Sequence, residues 1–324
     1  MVPLALSEEL LVTESVAHRP VLLRETLALL APRPGEVVVD ATLGSGGHAE
    51  FLLEAVGPTG RLIGIDRDPR ALELASQRLS RFREVFVPLG GDHRDLRRLL
   101  HEIGVDAIDR VLFDLGVSSM QLDDPARGFS FRADGPLDMR MNPAAGSTAA
   151  DLLSGLSERE LTEILWRFGE ERRSRAIARA IVRERERQPI SRTEQLAQLV
   201  ARVLGPGARR WPIHPATRTF QALRIAVNGE IVGLETLLEE AVALLRPGGR
   251  LAAISFQSLE DRAVKLALRG LADRCRCPKQ MPVCGCGRRN LVRVLTPKPV
   301  RPTAGEIENN ARARSSKLRA AERL

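Results

Sequence analysis

VVVDATLGSGGHAE, residues 37–50, runs three β-branched residues into an acid and then turns on Gly44, Gly46 and Gly47 before helical spacing begins. One glycine suffices for a bare turn, whereas closely spaced glycines let the backbone approach a ligand without a Cβ in the way. A strand, a glycine loop and a helix in succession place that loop at the carboxyl end of the strand, where open α/β sheets bind ligands. The next apolar run ends in Asp66, 22 residues beyond Gly44. An acid there can accept hydrogen bonds from both hydroxyls of a ribose. Two adenosine-type ligands satisfy this arrangement, a nicotinamide or flavin dinucleotide and S-adenosylmethionine; a purely structural turn is the third reading. Asp40 weighs between the two ligands. A pyrophosphate would set negative charge beside that acid and a methionine ammonium positive charge, so charge complementarity favours the sulfonium ligand.

Outward from this stretch, EVVVDATLG, GRLIGIDRDP, VFVPLGG and DRVLFDLGVS are each followed by helical spacing or a loop. That alternation is the βαβα rhythm of a parallel sheet. The rhythm breaks after Asp114: a loop-like stretch follows, then charged helices to about Ile213, and only LLRPGGRLAAISF supplies another strand. The simplest organisation is a doubly wound α/β sheet built from residues 1–127 and 217–324, interrupted by a helical insertion at residues 128–216. Within the insertion, ERRSRAIARAIVRERERQ puts Ala176, Ile177, Ala180 and Ile181 on one stripe with arginines around the rest. The basic face is either solvated and ion-paired to its own glutamates or a contact for RNA backbone. The C-terminal stretch KPVRPTAGEIENNARARSSKLRAAERL, proline-punctuated and basic, reads as a mobile tail or as a segment that returns to cover the site.

At 324 residues the chain has room for one domain with a large insertion, or for two domains. The N-terminal MVPLALSEELLVTES is acidic and lacks the charged-then-apolar order of a secretory signal, and no apolar run approaches a membrane span, so a cytoplasmic location is expected. Net charge is +8, and Lys265, Lys279, Lys298 and Lys317 are the only lysines, so arginine dominates. A GC-rich genome would account for arginine over lysine but not for the excess of base over acid. The guanidinium fork suits phosphate, which makes nucleic acid the natural partner. A dehydrogenase has no evident need of arginine-coated helices, so the basic balance also leans towards a methyltransferase. Tyrosine is absent and aromatics make up 3%, so any base stacking falls to a few Phe, Trp, His or Arg residues.

Long stretches then carry a family resemblance: HRPVLLRETLALL, DATLGSGGHAEFLL, GIDRDPRAL, LFDLGVSSMQLDDPARGFSFRADGPLDMRM, FGEERRSRAIARAIV, HPATRTFQALRIAVNGE, PGGRLAAISFQSLEDRAVK and NARARSSKLRAAER. In this order, over nearly the whole chain, they resemble the bacterial small-subunit (16S) ribosomal RNA cytosine-N4 methyltransferases. The resemblance implies a class I methyltransferase (Rossmann-like) sheet with an inserted helical domain, S-adenosylmethionine as cofactor, and ribosomal RNA or the small ribosomal subunit as partner. Cofactor contacts of that family fall on Gly46, Gly47, His48, Asp66, His93, Asp114 and Gln121. Two positions depart from its pattern. His93 stands where phenylalanine is frequent, offering a weaker and titratable ring to the adenine. Gln257 stands where histidine is usual, and an amide cannot shuttle a proton.

The lone pair of the cytosine amine is delocalised into the ring, so an enzyme must orient it and accept its N–H groups. Asp114, at a strand end, is the candidate catalytic residue for that task. DNA amino-methyltransferases follow such an acid with two prolines and an aromatic; here the acid is present and the rest is not. Phe129, Phe131, Trp211 and Phe256 are candidates to stack on a flipped base, Phe129 and Phe131 first, each with a plain reading as a core residue. His214 either touches RNA or caps the helix after it. Asn228 reads as a helix residue facing the site, and Ser118 and Ser119 as hydroxyls that satisfy loop backbone. Cys275, Cys277, Cys284 and Cys286 form two Cys-x-Cys pairs, a candidate structural zinc site with reduced thiols as the competing reading. The alternatives to an RNA methyltransferase are a DNA amino-methyltransferase and a non-catalytic RNA-binding assembly factor.

Overall fold

Each β-branched or apolar run that ends in a turn becomes a strand. The computed structural model describes residues 20–207, 213–273, 277, 281, 285–286 and 290–324. Its strands are β1 (Val37–Asp40), β2 (Arg61–Asp66), β3 (Phe86–Gly90), β4 (Ile108–Asp114), β5 (Leu245–Ser255), β6 (Val292–Val294) and β7 (Lys317–Arg323). They form one sheet in the order β3-β2-β1-β4-β5-β7-β6, parallel through β5 and antiparallel at β7 and β6. This is the mostly parallel, class I methyltransferase type of sheet expected from the sequence. The reversal of strand order on either side of β1 and β4 opens a crevice at their carboxyl ends, where Asp40 and Asp114 stand.

Side chains alternate across the sheet with period two, and helices cover both faces. Val38, Leu62, Leu112 and Ala252 meet α1 (Leu23–Leu30), α2 (Gly47–Val56) and α3 (Pro69–Arg78), while Val39, Ile63, Val111 and Leu251 meet α4 (Leu96–Glu102) and the later α11 (Leu234–Leu244) and α12 (Ser258–Ala272). Full burial of each Val, Leu or Ile among them contributes roughly 1.5–3 kcal/mol. A short α5 (Ser119–Asp123) follows β4.

The basic C-terminal stretch is not a mobile tail, which corrects that expectation; its residues before β7 return to the site end of the sheet, where Glu306 accepts the Leu22 amide and Arg312 pairs with Asp123 of α5. After α13 (Ala304–Asn309) it enters the sheet as β7, between β5 and β6, with Leu251 opposite Ala321 and Ala253 opposite Arg319. Leu318 and Ala320 are fully buried, and Arg319 lays its Nε 2.7 Å from Asp261 Oδ1. No residue of KLRAAER is β-branched, so pairing rather than local preference makes this strand.

The insertion has its own core, from Phe129 through Leu223. It comprises α6 (Ala149–Gly155), α7 (Glu158–Gly169), α8 (Ser174–Arg185) and α9 (Thr193–Leu204), and α10 (Thr217–Asn228) adds Phe220, Ala222 and Leu223 to it. Thr148 and Ser157 begin α6 and α7 with reciprocal caps to Asp151 and Glu160, each worth about 1 kcal/mol. On α8 the packed stripe is Ile177, Ala178 and Ile181, with Ala176 and Ala180 half-buried at its edges. Arg175, Arg179 and Arg183 are exposed. Among the described residues no helix is long and apolar enough to cross a membrane.

Candidate active site

Three acids, Asp40, Asp66 and Asp114, converge at the carboxyl ends of β1, β2 and β4. Asp40 is buried and accepts the Thr42 amide, and burial together with neighbouring Asp66 pushes its carboxyl up to about 7. Asp66 accepts the Gly44 amide on Oδ2 and the Asp68 amide on Oδ1, each at 2.9 Å, and burial raises it as well. Asp114 is held up at about 8 by burial and by Asp40 and Glu260. Its side chain is 26% exposed, yet Oδ1 is shut off from solvent and has no hydrogen-bond partner among the described residues. An unpartnered carboxyl oxygen beside other acids is costly unless a ligand supplies a donor or positive charge.

The glycine loop does more packing than its spacing suggested. Gly46 has φ +80°, and a Cβ there would lie 3.1 Å from the Leu79 side chain; a Cβ on Gly47 would meet Pro20 at 2.9 Å. Those two glycines let α2 seat against its neighbours. Gly44, at φ +52°, has open space where its Cβ would be, so it is the position at which the backbone can meet a ligand.

His48 opens α2 and is buried. Nε2 lies 3.0 Å from the Val21 carbonyl oxygen and Nδ1 3.5 Å from Asp114 Oδ2. Burial lowers its pKa to about 4, so the ring is neutral. His93 is likewise lowered to about 4, by burial and then by Arg67, and its ring meets Phe113 edge-on at 6.4 Å. This corrects the expectation of a titratable ring: near neutral pH His93 offers an uncharged aromatic surface, closer to the phenylalanine it stands in for.

Gln121 is already engaged. Its Oε1 accepts the Ser118 amide while Ser118 Oγ caps α5, and Nε2 donates to Asp68 Oδ2 at 2.9 Å. Asp68 itself is 1% exposed; Oδ1 caps α3 and Oδ2 also accepts Arg127 Nη1 at 2.8 Å. Arg127 then donates through Nη2 to the carbonyls of Arg140 and Met141. Asn228 closes the same loop from α10, accepting the Met141 amide and donating to the Met139 carbonyl, each at 2.8 Å. The sequence reading missed Asp68 and Arg127. The Asp-Pro pair before α3 signals a helix cap, but nothing local signals its buried arginine partner.

Of the stacking candidates, Phe129 is in the insertion core, with the Arg127 guanidinium 5.9 Å from its ring centroid. Phe131 is half-buried against His214 at 4.6 Å and Phe220 at 4.7 Å. His214 Nδ1 accepts the Ala216 amide, the capping alternative for that residue. Phe256 is half-buried beside Gly116, at the mouth of the site. Trp211 lies outside the described residues. Gln257 begins α12, donating to Glu260 Oε1 at 2.8 Å and accepting from Gln221 of α10. Ser119 is buried. Cys277 and Cys286 are half-buried, while Cys275 and Cys284 lie outside the described residues. Among the described residues no group of three or more His, Cys, Asp or Glu is placed to hold a metal ion.

Residues 15–324 match the MraW methylase family. The chain belongs to that family. It is 54% identical over 310 residues to Ribosomal RNA small subunit methyltransferase H of Thermomicrobium roseum, covering 96% of this chain and 94% of that protein. The protein of the same name in Geobacter sulfurreducens is 54% identical over 308 residues, covering 95% and 99%. A solved methyltransferase homologue from Pyrococcus horikoshii is 14% identical, with a TM-score of 0.42, over 95% of this chain and 67% of that one. Membership in the family thus extends over both the sheet and the helical insertion.

Proposed function

We propose that this protein transfers the methyl group of S-adenosylmethionine to the N4 amine of a cytidine in small-subunit ribosomal RNA. The observation that carries the reading is the group of buried, proton-retaining carboxyls around the unpartnered Oδ1 of Asp114, an environment suited to a cation and an amine donor. The names of the relatives favour ribosomal RNA over DNA. S-adenosylmethionine supplies an activated methyl on a cationic sulfur.

The chain would hold that cofactor with Asp66 towards the ribose, His93 beside the adenine, Asp40 towards the ammonium, and the Gly44–Gly47 loop with His48 beneath. Asp114, ionised once the cation is bound, would accept the amine N–H, direct the nitrogen lone pair and take the proton that the nitrogen sheds as it gains the methyl. Orientation carries most of the rate, because the methyl donor is already activated and Gln257 can place a base but not move a proton. The two Cys-x-Cys pairs support a structural zinc on Cys275, Cys277, Cys284 and Cys286; one zinc per purified chain is the expected result of metal analysis, and none would remove that part of the reading.

The test is to incubate the protein and S-adenosylmethionine with small subunits from a strain lacking the modification, then digest the RNA to nucleosides. N4-methylcytidine is expected. Ring-carbon or ribose methylation alone would overturn the N4 assignment, and no methylation would overturn the transferase.

A further inference from the structure

Trp166 is 58% exposed on α7. The helix buries Leu161, Leu165 and Gly169, so Trp166 stands off the packed seam, one turn before Glu170 on the same side. Glu170 caps the helix in a left-handed conformation, with φ 48°, and reaches two other elements: its Oε1 lies 3.4 Å from Arg262 of α12, and its carbonyl accepts Arg218 of α10 at 3.4 Å. The carbonyl of Phe168, two residues beyond Trp166, accepts Gln221, which in turn donates to Gln257 at the start of α12. That start faces the site, since Phe256 and Glu260 both border Gly116, two residues beyond Asp114. A continuous surface therefore runs from Asp114 across the α12 N-terminus to Trp166.

The charge along this surface suits one occupant. Arg218 and Arg262 reach Glu170 at its outer end, and Arg262 is exposed, as are Arg172 and Arg173 just after α7 in the chain. An exposed indole one turn from a residue that gathers two guanidinium groups combines the two elements used to hold single-stranded nucleic acid, a stacking face and a backbone-tracking positive charge. We infer that Trp166 is the stacking platform for a nucleotide that flanks the target cytidine, with Arg218 and Arg262 guiding the RNA strand from it to Asp114. The inference rests on the reading of ribosomal RNA as substrate and adds the path of the strand.

The test uses the full-length protein as background, and the indole emission of Trp166 is read as the difference between it and Trp166→Phe. Trp166→Ala and Trp166→Phe are compared for affinity towards a small-subunit RNA fragment, affinity for S-adenosylmethionine, and KM and kcat on small subunits. Trp166→Ala is expected to weaken RNA binding and raise the RNA KM by roughly five- to a hundredfold, the range for loss of one base–aromatic stack. Trp166→Phe should retain most of the binding, cofactor affinity should not move, and RNA should quench Trp166 emission. If the background protein binds and methylates RNA but Trp166→Ala matches it, or emission is unchanged, the platform is wrong while the function stands. Weakened binding to assembled subunits with unchanged binding to naked RNA would assign Trp166 to a protein partner and overturn the inference. A background protein that neither binds nor methylates ribosomal RNA would remove the functional reading and this inference with it.

Discussion

His48 Nδ1 lies 3.5 Å from Asp114 Oδ2, while Nε2 of the same ring lies 3.0 Å from the Val21 carbonyl oxygen. A carbonyl only accepts, so Nε2 carries the hydrogen and Nδ1 turns a lone pair towards Asp114. Two lone pairs facing each other repel unless a proton sits between them. Asp114, pushed up to about 8 by burial, Asp40 and Glu260, retains that proton in the ligand-free protein. One proton stays between the two side chains until a cation arrives.

The first consequence is a stability that falls with rising pH. Asp40 and Asp114 titrate near 7 and 8 when folded and near 3.8 otherwise, so the folded state binds more protons and stability falls as pH rises from about 4 to 8. His48 acts in the opposite sense: folded near 4 against 6.5 unfolded, it offsets one of those two protons within that window. Melting temperatures should therefore decline from about pH 4 to pH 8, most steeply between about 6.5 and 7 where the histidine no longer opposes the acids, and Asp114→Asn should flatten the decline. A melting temperature that rises steadily to pH 8 would contradict the assignment.

Cofactor binding should expel protons. A cationic ligand favours the ionised carboxyls, so affinity for S-adenosylmethionine is expected to rise between pH 6 and 8, about one proton being released per ligand. Calorimetry in buffers of different ionisation enthalpy measures that number, and Asp114→Asn should lower it. The same variant should lose turnover by on the order of a hundredfold or more, with a smaller loss of cofactor affinity. Equal losses of affinity and turnover would make Asp114 a binding residue only.

Arg127 fastens the insertion loop to the end of β2 through Asp68. Arg127→Met would leave Asp68 buried without its cation and should destabilise the protein by about 3–5 kcal/mol, and Asp68→Asn in the same chain should restore part of that. Denaturant unfolding measures both. A single variant as stable as the parent would show that the pair contributes no net stability.

The exposed arginines of α8 make a separate prediction. Arg179 has Glu158 at 3.4 Å, an exposed pair of small worth, and Arg175 and Arg183 show no ion pair among the described residues. Replacing all three by Gln should lower the dependence of log affinity for RNA on log salt by about two to three, with cofactor affinity unchanged. An unchanged slope would return this face to solvent.

The sequence by itself determined the strands β1 to β5, the helical interruption and the acids Asp40, Asp66 and Asp114 at their strand ends, because each is written locally as an apolar run, a turn signal and a following period. The carboxyl end of a strand is where its sequence stops, so ligand-facing positions could be counted off without coordinates. Tertiary structure alone decided the rest. KLRAAER became an inner strand because β5 and β6 flank it; Gly46 and Gly47 were required by Leu79 and Pro20; Gln121 was taken up by Asp68, itself paired with Arg127 59 residues away. The neutrality of His48 and His93 came from desolvation. Pairing and desolvation depend on groups distant in the chain, and local composition carries no record of them.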